Sequence, residues 1–71
     1  MITDEQLNAL RVQGTLVRVV RDYMEQNDVI GIVVAWSEDQ VMVRKKSRRI
    51  VKLSRNYRYE PALEERSGPA E

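Results

Sequence analysis

The stretch VIGIVVAW, Val29–Trp36, carries no charged or strongly polar side chain. Successive residues of a strand point to opposite faces, so a strand apolar on both belongs in the middle of a sheet, covered on each side. Gly31 inside it predicts a bulge, a sharp bend or a close backbone approach. This segment constrains the fold more than any other. A chain of 71 residues must supply it with neighbours and cover, yet a chain of this size buries only about 60% of its unfolded surface.

The flanking sequence supplies short strands. TLVRVVRD (Thr15–Asp22) is β-branched and runs into the polar cluster YMEQND, which reads as a strand and a loop. SEDQ is a turn, and VMVRKK (Val41–Lys46) resumes as a third strand. Ser47 and Arg48 mark the next reversal, RIVKL (Arg49–Leu53) is a fourth strand, and a fifth is expected around Tyr57–Glu60, stopped by Pro61. Before the strands, ITDEQLNALR has the start of a helix. Thr3 is a candidate N-cap, Gln6 completes a capping box, Ile2 and Leu7 form a hydrophobic staple, and Gly14 is a C-terminal stop. Its apolar stripe, Leu7 and Leu10 beside Ile2, is too thin for an isolated helix, so it must dock.

Strands this apolar must curl to hide their edges and fill a core. The expected fold is all-β: a small bent antiparallel barrel of four to five strands, SH3-like or Sm-like, with a short N-terminal helix. One domain spans 1–61 with the helix at about 3–12, and the polar, Pro/Gly-punctuated segment 62–71 is expected to be a flexible tail.

The residues extend this to a family. LNALR at Leu7–Arg11 resembles the end of the N-terminal helix in the Hfq family of bacterial Sm-like RNA chaperones. GIVVAWSEDQVMV at Gly31–Val43 is similar to the Sm core motif, with a bending Gly, an aromatic five residues on and an acidic turn before an apolar strand. The resemblance covers most of 3–61 and implies a bent five-stranded barrel, with RNA binding and ring assembly as family properties. The family's uridine pocket departs here. Where it carries an aromatic and a Lys-His pair, this chain has Val41 and Lys52, Leu53, Ser54, and it has no His at all. Related small barrels, such as KOW-type modules, fit equally.

Charge is unevenly spread. Residues 1–43 carry −4, residues 44–58 carry +8 and residues 59–71 carry −3, against a total of +1. Such an asymmetry makes a local field in a nearly neutral protein. VRKKSRRIVKLSRNYR interleaves its cations with Val43, Ile50, Val51 and Leu53 at strand period, so the charge is expected on a hairpin rather than a loose tail. One reading is phosphate contact by Arg44, Lys45, Lys46, Arg48, Arg49, Lys52, Arg55 and Arg58, with Tyr57 stacking on bases. RNA or single strands are then the expected partner, with DNA as the alternative. The competing readings are a solvated or internally paired hairpin whose charge protects an edge strand, and a protein-interaction or self-assembly module, with a protein partner or a homo-oligomer.

Other features have plainer expectations. Trp36 should pack in or at the mouth of the barrel. Tyr57 and Tyr59, two apart, share a strand face and either close the barrel or line a peptide groove. Asp22, Glu25 and Asp28 lack the spacing of a calcium loop. With no Cys and no His, thiolate metal sites, zinc chemistry and Ser/His or Cys/His catalysis are excluded. No enzyme, cofactor, metal or small-molecule substrate is expected. No apolar run approaches the roughly 20 residues of a membrane span, and the acidic, polar MITDEQLNAL is unlike a signal peptide. A soluble cytoplasmic protein with no membrane partner is expected.

Overall fold

A computed structural model describes residues 1–66. Helix α1 (Asp4–Gln13) is followed by β1 (Leu16–Val20), β2 (Val29–Trp36), β3 (Gln40–Lys45), β4 (Ile50–Ser54) and β5 (Arg58–Pro61), with a 3-10 turn at Glu25–Asn27. The helix starts and stops where its end chemistry places it. Thr3 Oγ1 accepts from the Gln6 amide at 3.1 Å, and Gln6 Oε1 accepts from the Thr3 amide at 3.0 Å. Together they satisfy two of the N–H groups that a helix start leaves without partners. Gly14 then closes the helix in the left-handed region, at φ 65.

The five strands form one antiparallel sheet in the order β4-β3-β2-β1-β5. β2 is the central strand, as its composition requires. β4 and β5 are the two edges and are not paired with each other, so the sheet is not closed.

One face of the sheet holds the core. Val17 and Val19 of β1, Val33 of β2, Val41 and Val43 of β3 and Leu53 of β4 pack with Leu7 of α1. Ile2, Leu10, Val29, Trp36, Val51, Tyr57 and Tyr59 pack around this cluster. Leu7 is the one helical residue fully buried, so the thin stripe does dock, chiefly on β2. Trp36 sits on the core side opposite Val41. Tyr59 also packs there and donates its hydroxyl to the Ser54 carbonyl at 2.7 Å. Burial raises the pKa of that phenol, because a phenolate would lose its water there.

One sequence expectation for β2 is corrected. It is covered on one face only: Ile30 on the other face is 43% exposed, and Ile32 and Val34 are half-buried. The single helix covers the core side, and no second layer is present among the described residues. Of the three alternatives for Gly31, the close backbone approach is the one present, and the bulge lies elsewhere. The register shift falls between Val33 and Ala35. At Gly31 β2 comes close to β3 instead, and an added Cβ would meet the Arg44 carbonyl oxygen and lie 2.7 Å from Val43 Cγ1.

Beyond β5 the chain folds back over the sheet. The Ala62 amide donates to the Leu16 carbonyl at 2.8 Å. Arg18 donates to the carbonyls of Ala62 and Glu64, each at 3.0 Å. Arg66 grips Asp28 through two bonds, 2.6 and 3.0 Å, and donates to the Asp22 carbonyl at 3.0 Å. Of the segment read as a tail, residues 62–66 therefore have specific partners, and residues 67–71 lie outside the described residues.

Candidate nucleic-acid interface

β3 and β4 form the hairpin that the alternation of cations and aliphatics predicts. Its turn is closed by Arg48 N donating to Lys45 O and Lys45 N donating to Arg49 O, both at 2.8 Å. The three-residue loop Lys46–Arg48 requires a left-handed residue at its last position. Arg48 occupies it at φ 70 and is the one non-glycine residue with positive φ among those described. A side chain there costs about 1–2 kcal/mol, and nothing in the turn uses the Arg48 guanidinium.

Arg44 lies between Ile32 of β2 and Ile50 of β4 in a row across the sheet, and Lys52 opposes Met42. These five strand positions belong to the face away from the core. Lys45, Lys46, Arg48 and Arg49 gather at the turn. Arg44, Lys45, Lys46 and Arg48 rim an open groove of about 890 Å³ whose floor is Leu16, Ile30, Gly31 and Ile32. All six cations, Arg44, Lys45, Lys46, Arg48, Arg49 and Lys52, are exposed. None of them has an ion-pair partner among the described residues. Internal pairing, one of the competing readings of this charge, does not occur among the described residues.

The remaining three predicted site residues do not join them. Arg55 is 6% exposed. Its Nη1 donates to the Ser37 carbonyl at 2.9 Å and its Nη2 to the Ile2 carbonyl at 2.8 Å. A buried guanidinium spent on main-chain carbonyls is structural and not open to phosphate. Tyr57 packs against the core cluster under Arg21, whose guanidinium carbon is 5.9 Å from the ring centroid. With Arg58 it lines a different groove, of about 480 Å³, between α1 and β5. Arg58 opposes Val20 on the far edge of the sheet, with β1 and β2 between it and the hairpin. The periodic spacing of charge through 44–58 hid the break at Ser54, where the chain leaves the hairpin.

Sequence reasoning missed Tyr23. It stands in the β1–β2 loop and is 79% exposed, beside Met24 at 52%. The loop under it is braced. Asp22 accepts from the Met24 amide at 2.8 Å and from the Asn27 side chain at 2.9 Å. Those bonds, the Asn27 one foremost, hold the Asp22 carboxyl below its ordinary pKa of 3.8. Asp28 is buried under Arg66 and Arg18, and the Asp28 hydrogen bond raises the Arg66 pKa. A bulky aromatic–Met pair inside a polar loop was the available signal.

No group of three or more acidic side chains that could hold a metal ion is found among the described residues, nor is a helix long and apolar enough to cross a membrane. The site and sheet define a small β-rich protein that presents an unpaired cationic hairpin beside an aliphatic groove. Compared with family models, curated proteins and solved structures, the chain has no match.

Proposed function

We propose that this chain is a non-catalytic nucleic-acid-binding module that contacts the phosphate backbone of RNA or other single strands through the β3–β4 hairpin. The observation that carries it is the set of six exposed, unpaired cations on one hairpin, four of them rimming one groove. Neutralising phosphates with such a set releases counterions and binds without sequence preference. The strand order, with β5 returning to β1 and β4 left at the other edge, suits the SH3-like or Sm-like barrel class that the sequence resembles. A chain with no His and no Cys suits binding rather than catalysis. The lack of Cys also suits a reducing compartment, and we place its action in the cytoplasm.

The test is a gel-shift or anisotropy titration with labelled oligouridylate at about 50 mM salt, where backbone binding is strong. Arg48→Glu with Arg49→Glu should abolish binding. No binding by the unaltered protein under these conditions removes the reading. A second reading, a protein-interaction or self-assembly module, is favoured by the exposed aliphatics Leu16, Ile30 and Ile50 and by the unpaired edges β4 and β5. A clean monomer by light scattering removes its self-assembly form.

A further inference from the structure

We propose that Tyr23 is the base-stacking residue of this interface, replacing Tyr57 in that role; the inference rests on the nucleic-acid reading above. The strand registers bring it to the right end of the sheet. Val19 pairs with Val29, so the β1–β2 loop that holds Tyr23 leaves the sheet where β2 begins. Gly31 pairs with Lys45, so the cationic turn leaves the sheet at that same end. The two connections spring from adjacent strands, about 4.8 Å apart at their bases. The loop that holds Tyr23 and the cationic turn thus share one end of the sheet, although 22 positions separate Tyr23 from Lys45 in the sequence.

The side chain is available and its support is firm. Tyr23 is 79% exposed, and no hydrogen bond engages its hydroxyl among the described residues. A loop that merely trailed in solvent would not need its bracing. Here Asp22 ties down the Met24 amide and Asn27, and Arg66 ties down the Asp22 carbonyl and Asp28. Those bonds also consume the loop's acids: Asp22 and Asp28 are engaged, leaving Glu25 as the loop carboxylate with no ion pair or hydrogen bond among the described residues. The other aromatics cannot take this role at the hairpin, because Trp36, Tyr57 and Tyr59 all pack on the core side. An exposed ring beside a cationic track is the arrangement by which small domains hold unstacked bases without reading sequence. A duplex keeps its bases stacked inside and offers the ring nothing, so Tyr23 favours single strands.

The experiment measures anisotropy of a labelled oligouridylate of about 12 nucleotides, within the span that small single-strand-binding folds cover, and of the matching RNA duplex. Tyr23→Ala should weaken single-strand binding by about tenfold, in the range of one base–aromatic stack. Tyr23→Phe should restore it, and duplex binding should be unchanged by either. An unchanged single-strand affinity in Tyr23→Ala overturns the inference, as does an equal loss on strand and duplex. If Arg48→Glu with Arg49→Glu abolishes binding while Tyr23→Ala has no effect, stacking fails and the phosphate reading stands. If the unaltered protein binds neither probe, both fail. Circular dichroism checks that the Tyr23 variants keep their fold, as an exposed loop position should.

Discussion

Arg55 Nη1 lies 3.0 Å from Asp4 Oδ1 and joins the segment after β4 to the first turn of α1. The two partners are unequal. Asp4 is 76% exposed, so water screens its charge, whereas the guanidinium is buried and also bonded to the Ser37 and Ile2 carbonyls. The ion pair is the weak part of this tie. Asp4→Asn should cost under about 1 kcal/mol. Arg55→Ala, which strips two part-buried carbonyls of a charged donor, should cost about 2–4 kcal/mol. Urea unfolding of both variants checks the ordering, and equal losses would show that the pair itself carries the docking.

Arg48→Gly should separate stability from binding. Glycine adopts the left-handed turn position without the side-chain penalty, so the variant should be stabilised by about 1 kcal/mol. It should also bind oligouridylate more weakly, because an exposed cation is gone. Thermal melts and anisotropy on the same samples read both effects. A destabilised Arg48→Gly would mean that the guanidinium supports the turn.

Gly31→Ala tests the close approach of β2 and β3. The new methyl meets the Arg44 carbonyl oxygen, which is backbone and cannot rotate away. A loss of about 2–3 kcal/mol is expected, at the upper part of the range for overpacking. Denaturant midpoints check it, and a neutral result would show that the strands can part there.

The loop beneath Tyr23 should respond to acid. The Asp22 carboxyl is held below its ordinary 3.8 by bonds from Asn27 and the Met24 amide. Its folded pKa is lower than its unfolded one, so its stabilising contribution is present above pH 3.8 and is lost as pH falls through the folded value. An NMR titration of the Asp22 carboxyl should give a midpoint under 3.8. Asn27→Ala should move that midpoint up, and an unmoved midpoint would rule out the side-chain bond.

Much of the fold was legible because its signals are local. Thr3 and Gln6 announce a helix start through bonds three residues apart. Val41, Val43, Val51 and Leu53 alternate with polar or outward-facing neighbours, and the hairpin they predict is present. The candidate site was legible only in part. Six of the eight cations in 44–58 act as a group, but Arg55 and Arg58 carry the same charge in the same run and have other surroundings. Charge along a chain does not tell which cation meets a carbonyl turned inward from another element.

By itself, then, the sequence determined the elements and the concentration of charge, since helix caps, strand alternation and turn residues act over three or four positions. The tertiary structure alone decided which groups meet. β2 has one covered face because, among the described residues, only one α-helix is there to cover it. Arg55 is buried because the Ile2 and Ser37 carbonyls converge on it from distant parts of the chain. The loop of Tyr23 and the cationic turn leave the sheet at one end because antiparallel register returns both connections there. Register is set by packing the whole core at once, so no local stretch of sequence contains it.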